Sequence, residues 1–121
     1  MAKPSYAVKR MNPRFPFSAQ AEITLHDGTW LPAQVAEISA RGCYVDTLEP
    51  IPVGTEFELS ICDGTHTCEL PGKVIYEHVG GGFGVVGMGV VFGNVGFEQH
   101  SAIDAWLVEL AGHRSGTSAN P

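Results

Sequence analysis

The sequence has little cysteine, little positive charge and no long apolar run, and each shortage excludes a class of protein. Three cysteines, Cys43, Cys62 and Cys68, make an odd number with no C-x-x-C pair in 121 residues, which argues against a disulfide framework. Each falls in a stretch with strand character, where a free cysteine behaves as a small buried hydrophobe. His66 stands between Cys62 and Cys68, but the spacing fits no common zinc pattern and no fourth ligand is evident, so no metal is expected. No window reaches the run of about 18 to 20 apolar residues that a membrane-spanning helix requires. Met1-Ala2-Lys3-Pro4-Ser5 leads into polar residues instead of an apolar signal stretch. The expectation is a cytoplasmic chain without membrane insertion.

Catalytic signatures are equally scarce. Neither G-x-S-x-G nor H-E-x-x-H occurs, and His26, His66, His78, His100 and His113 are scattered, so nothing local marks an enzyme and none is expected. Basic residues number seven against thirteen acidic ones, a formal net charge of −6, which disfavours a protein that must neutralise many phosphates of a nucleic-acid polymer. The average hides an asymmetry. Lys3, Lys9, Arg10 and Arg14 lie in the first 14 residues, which contain no acid, whereas residues 15–121 hold Arg41, Lys73 and Arg114 against all thirteen acids. A short cationic arm on an acidic body suits one compact anion better than a polymer.

What is present is enough apolar material for one domain. Hydrophobic residues make up 44% of the chain and charged residues 17%, so burial can offset the entropy of ordering a single core. Residues 1–16 contain Pro4, Pro13 and Pro16 without apolar periodicity and are expected to form a flexible N-terminal arm. The domain is placed at 17–111. Ala19 to His26, the turn pair Asp27-Gly28, and Thr29 to Ser39 form a predicted hairpin. Gly42 opens a short third strand, Cys43 to Asp46, before Pro50, Pro52 and Gly54 break the chain. Glu56 to Ile61 alternates polar with apolar residues, which turns Phe57, Leu59 and Ile61 inward. A second turn pair, Asp63-Gly64, precedes Thr67 to His78, and Val85 to Phe92 supplies a sixth strand.

Six strands without an intervening helix predict an all-β, mostly antiparallel barrel or sandwich. After Gly96 the period changes: Ile103, Trp106, Leu107, Leu110 and Ala111 fall at helical spacings. One C-terminal amphipathic helix is expected, stopping at Gly112, with residues 112–121 as a disordered tail. Gly82-Phe83-Gly84-Val85-Val86-Gly87 matches G-x-G-x-x-G, but it leads into a strand and lacks the strand-helix-strand setting of a dinucleotide fold, so it is taken as a glycine-rich bend.

Two motifs stand apart from this scaffold. Arg10-Met11-Asn12-Pro13-Arg14 fits R-x-x-x-R, and Glu37-Ile38-Ser39-Ala40-Arg41-Gly42 nearly fits [D/N]-x-S-x-x-G. In this order and separation they resemble the paired motifs of the PilZ domain family. The resemblance extends from about Arg10 to Ala111, through Pro52 to Thr55, the Gly87 to Phe92 strand and the Trp106-Leu107 helix. It implies a six-stranded antiparallel β-barrel with a C-terminal helix. It also implies a receptor for the second messenger cyclic di-GMP, acting through a downstream protein partner in motility, biofilm or exopolysaccharide control. Carried over by that resemblance, Arg10 and Arg14 contact phosphate and guanine edges, while Ser39 and Gly42 contact guanine from the barrel surface. Chemically, arginine supplies both a charge and a planar fork for such a ligand.

Glu37 departs from the family pattern, which has Asp or Asn at this place. A carboxylate is kept and can accept from guanine N–H groups, but the extra methylene displaces it and adds rotamer entropy, so weaker binding is expected. The alternative function is a PilZ-like protein-interaction module that binds no nucleotide, as in some type IV pilus proteins. The arginine motif separates the two readings, because such modules typically lack it.

Overall fold

Period-two alternation of apolar and polar side chains buries one face of a strand and wets the other, and the longest strands follow it closely. The computed structural model describes residues 14–79 and 85–119. It contains β1 (Phe15–Leu25), β2 (Trp30–Ile38), β3 (Gly42–Thr47), β4 (Glu56–Cys62), β5 (Thr67–Val79), β6 (Val86–Phe92) and α1 (Phe97–Ala119). Every strand pairing is antiparallel, and the order β1-β2-β3-β6-β5-β4 closes into a barrel through β4 and β1. The expected six-stranded barrel with one C-terminal helix is the observed architecture.

Inward residues of all six strands form one core, including Ile23, Val35, Val45, Leu59, Val74 and Met88. Both Asp-Gly pairs form turns for the reason the sequence suggests. Gly28 and Gly64 hold positive φ of 89° and 97°, accessible to glycine without steric cost, and each preceding aspartate closes the turn. Asp27 Oδ1 accepts from the Thr29 amide at 2.9 Å. Asp63 Oδ1 accepts from the Thr65 and His66 amides at 2.9 and 2.8 Å.

Two boundaries differ from the expectation. β1 begins at Phe15, paired with Ile38, and Pro16 pairs with Glu37 ahead of a bulge that precedes Ala19. Proline lacks a ladder N–H and is tolerated beside such an irregularity. The helix does not stop at Gly112 but continues to Ala119. Glycine inside a helix costs only about 1 kcal/mol relative to alanine, so it ends a helix only when its neighbours favour ending. Burial follows the barrel and not the helix's full length: Ile103 and Trp106 are buried, Leu107 and Leu110 half-buried, and Ala111 exposed. Arg10 with the rest of residues 1–13 of the expected arm, and residues 82–84 of the expected glycine-rich bend at 82–87, lie outside the described residues.

Trp106 fixes the helix to the barrel. Its ring stacks obliquely on Phe17 with centroids 5.2 Å apart, and its indole Nε1 donates to Asp63 Oδ2 at 2.8 Å. The same carboxylate therefore closes the β4–β5 turn and anchors α1. Donation from the His66 and Thr65 amides, and then from Trp106, holds the Asp63 carboxyl below its ordinary value of 3.8. A carboxyl lowered by folding stabilises the native state above its unfolded pKa and loses that contribution as pH falls through the folded one. Asp63→Ala should cost about 1–2 kcal/mol in urea unfolding at pH 7. Between pH 7 and pH 3 the wild type should lose more stability than Asp63→Asn; equal losses would contradict this role.

Candidate functional site

The site is built where β3 meets β6. These strands are distant in sequence, and their pairing aligns Gly42 with Val91 and Cys43 with Val90. A Cβ on Gly42 would overlap the backbone carbonyl of Val90, so only glycine lets the β2–β3 turn lie this close to β6. Ser39 locks the same turn from its other end. Its amide and its hydroxyl both donate to the Gly42 carbonyl, at 2.8 and 3.2 Å, and the Phe92 amide donates to the Arg41 carbonyl at 2.8 Å. The loop between β2 and β3 is thereby tied both to itself and to β6.

Over this turn opens a cleft of about 430 Å³, bordered by Arg14, Ser39, Arg41 and Gly42 on one side and by Ile75 and Tyr76 on the other. The second wall depends on a bulge. Pairing of Val74 with Val90 and of Tyr76 with Gly89 leaves Ile75 as an extra residue in β5, after which both Ile75 and Tyr76 face outward, 50% and 41% exposed. Gly87 and Gly89 of β6 lie beneath Tyr44 and Tyr76 respectively, and a Cβ at either would overlap the ring above it. The two tyrosines thus cover the outer face of β6, their centroids 6.3 Å apart. Partial burial first, then the charge of Asp46, raises the Tyr44 hydroxyl above its ordinary pKa.

Arg14 enters the cleft because it precedes β1 just before the Phe15–Ile38 pair, which sets it beside Ser39. One of its guanidinium nitrogens lies 3.9 Å from Glu37 Oε1, with both side chains about half exposed. Of the residues expected at a site, the structure brings Arg14, Ser39 and Gly42 to one cleft and sets Glu37 at its edge through Arg14. Ser39 and Gly42 also have structural duties that the sequence does not reveal, since both depend on where β6 runs. Sequence reasoning missed Arg41, Ile75 and Tyr76. Arg41 had a signal, as the sole base between Arg14 and Lys73 and a member of the second motif; the bulge that turns out Tyr76 had none.

The cysteines are free, with Cys43 and Cys68 buried and Cys62 half-buried. Burial pushes the Cys43 thiol up to about 12. Among the described residues no group of three or more His, Cys, Asp or Glu could hold a metal ion. No described helix is long and apolar enough to cross a membrane.

The overlap at Gly42 gives a direct test of its structural duty. Gly42→Ala should lower the stability of the ligand-free protein by about 1–3 kcal/mol, the usual cost of overpacking. Denaturant unfolding measures this, and unchanged stability would show that the β3–β6 approach does not require glycine.

Comparison with known proteins agrees with this geometry. The model of the PilZ domain matches residues 8–109, while curated protein sequences yield no match. Among solved structures, the PilZ domain of YcgR from Escherichia coli with c-di-GMP superposes with a TM-score of 0.75 at 14% identity, covering 93% of this chain and 99% of that one. The K. pneumonia MrkH–c-di-GMP complex gives 0.76 at 14% identity, covering 88% and 54%. The Bacillus subtilis inhibitor of motility, MotI/DgrA, gives 0.69 at 15%, covering 84% and 50%. The chain thus spans about half the length of the latter two. At such identities the likeness concerns the fold, and the match over residues 8–109 supplies the family: the chain belongs to the PilZ domain family.

Proposed function

We propose that this chain is a receptor for cyclic di-GMP, which it binds in the cleft over Gly42 and reports to a downstream protein partner, without catalysis. One observation carries the reading: Arg14 from the first motif and Ser39 and Gly42 from the second, far apart in sequence, border the same cleft. Family membership and the ligand-bound relatives support it.

The chemistry suits the ligand. A cyclic dinucleotide carries two phosphates and two guanines. The Arg14 guanidinium can fork onto a phosphate or onto guanine O6 and N7, and Arg10 is its proposed companion. The Ser39 hydroxyl spends its proton on Gly42 but keeps lone pairs for a guanine N–H. The exposed Tyr76 ring offers a flat face to a base. The cleft falls within the volume range of small-molecule sites.

Glu37 has a specific place in this scheme. Paired with Arg14, it competes with an incoming phosphate. An exposed pair of this kind contributes at most about 1 kcal/mol, so a doubly charged ligand can displace it. Rearrangement of Arg14 and the preceding segment over the ligand would present a changed surface to the partner.

Isothermal titration calorimetry with cyclic di-GMP, with GTP as a specificity control, tests the reading. Saturable binding to the wild type, none of GTP, and affinity at least tenfold weaker in Arg14→Ala are expected, since one charge-assisted contact contributes about 1.5–3 kcal/mol. Glu37→Asp should tighten binding by shortening the side chain. Wild-type affinity in Arg14→Ala would refute the assignment, and no binding by the wild type would favour a protein-interaction module.

A further inference from the structure

We infer that Arg41 is a third arginine of this cleft and the group on which a ligand phosphate first docks; the inference rests on the cyclic di-GMP reading and assigns a further contact within that site. Residues 15–121 carry three bases against thirteen acids, and one of those three borders the cleft. On so acidic a body, an arginine at the mouth of a concave site creates a local attraction for anions that the rest of the surface opposes.

Pairing distinguishes the two arginines that border the cleft. Arg14 lies 3.9 Å from Glu37, whereas Arg41 makes no ion pair among the described residues. An anion approaching the ligand-free cleft therefore meets Arg41 as the uncompensated cation, while at Arg14 it must first displace a carboxylate. The backbone under Arg41 is also fixed in advance. Its carbonyl accepts from the Phe92 amide at 2.8 Å, and the Ser39 amide closes the turn at the Gly42 carbonyl. A cation on a turn pinned to β6 loses little backbone entropy when it binds. Its planar fork can take two phosphate oxygens at once, which a lysine ammonium cannot match. With one phosphate held at Arg41, the other is delivered to Arg14 at high local concentration and exchanges with Glu37.

Calorimetric titration of the full chain with cyclic di-GMP, comparing wild type, Arg41→Ala, Arg41→Lys and Arg14→Ala, tests this assignment. Arg41→Ala should bind at least tenfold more weakly and Arg41→Lys should fall between it and the wild type. Raising salt should weaken the wild type more than Arg41→Ala. Thermal unfolding of ligand-free Arg41→Ala should match the wild type, because the substitution keeps the carbonyl that Phe92 uses. Wild-type affinity in Arg41→Ala beside a loss in Arg14→Ala overturns the role of Arg41 and leaves the receptor reading intact. Absence of binding by the wild type removes both.

Discussion

Barrel closure brings β3 alongside β6, strands separated by about a third of the chain, and their approach at Gly42 leaves no room for a side chain against the Val90 carbonyl. The site depends on that contact. It sets the height of the β2–β3 turn above β6, which lets Ser39 close the turn on Gly42 and lets Phe92 hold the Arg41 carbonyl. Further along β6, Gly87 and Gly89 repeat the device on the outer face, where they make space for Tyr44 and Tyr76. Three glycines thus convert the outside of a closed barrel into a cleft with a cationic side and an aromatic side.

Electrostatics sets this cleft apart from the rest of the surface. An acidic protein repels polyanions at most of its surface, yet Arg14 and Arg41 meet at one concavity. The carboxylate of Glu37 moderates that charge without abolishing it, because the pair with Arg14 is solvent-exposed and long, at 3.9 Å. On the proposed reading, such a balance would favour a compact ligand with two phosphates over single ions, because Glu37 must be displaced from Arg14. Asp63 also joins a turn to a helix through Trp106, so the packing of α1 is coupled to the β4–β5 turn and, through Phe17, to β1.

Much of the fold was legible because its determinants are local. The Asp27-Gly28 and Asp63-Gly64 turns, and the alternation that turns Phe57, Leu59 and Ile61 inward, need no knowledge of distant residues, and each is found as expected. The end of α1 was not legible: Gly112 resembles a stop, but the cost of one glycine is small enough for the helix to run through it. The site divides in the same way. The two motifs single out Arg10, Arg14, Glu37, Ser39 and Gly42 as candidates by order and spacing, whereas the structural duty of Ser39 and Gly42 arises only once β6 lies beside β3. Ile75 and Tyr76 reach the cleft through a one-residue bulge in β5, which alternation alone cannot locate.

A crystal structure of the protein with cyclic di-GMP tests the central claim most directly. The ligand is expected over Gly42, with phosphate oxygens within hydrogen-bond distance of Arg41 and with Arg14 released from Glu37. A ligand bound elsewhere on the barrel, or one seated here with Arg14 still held by Glu37, would contradict it.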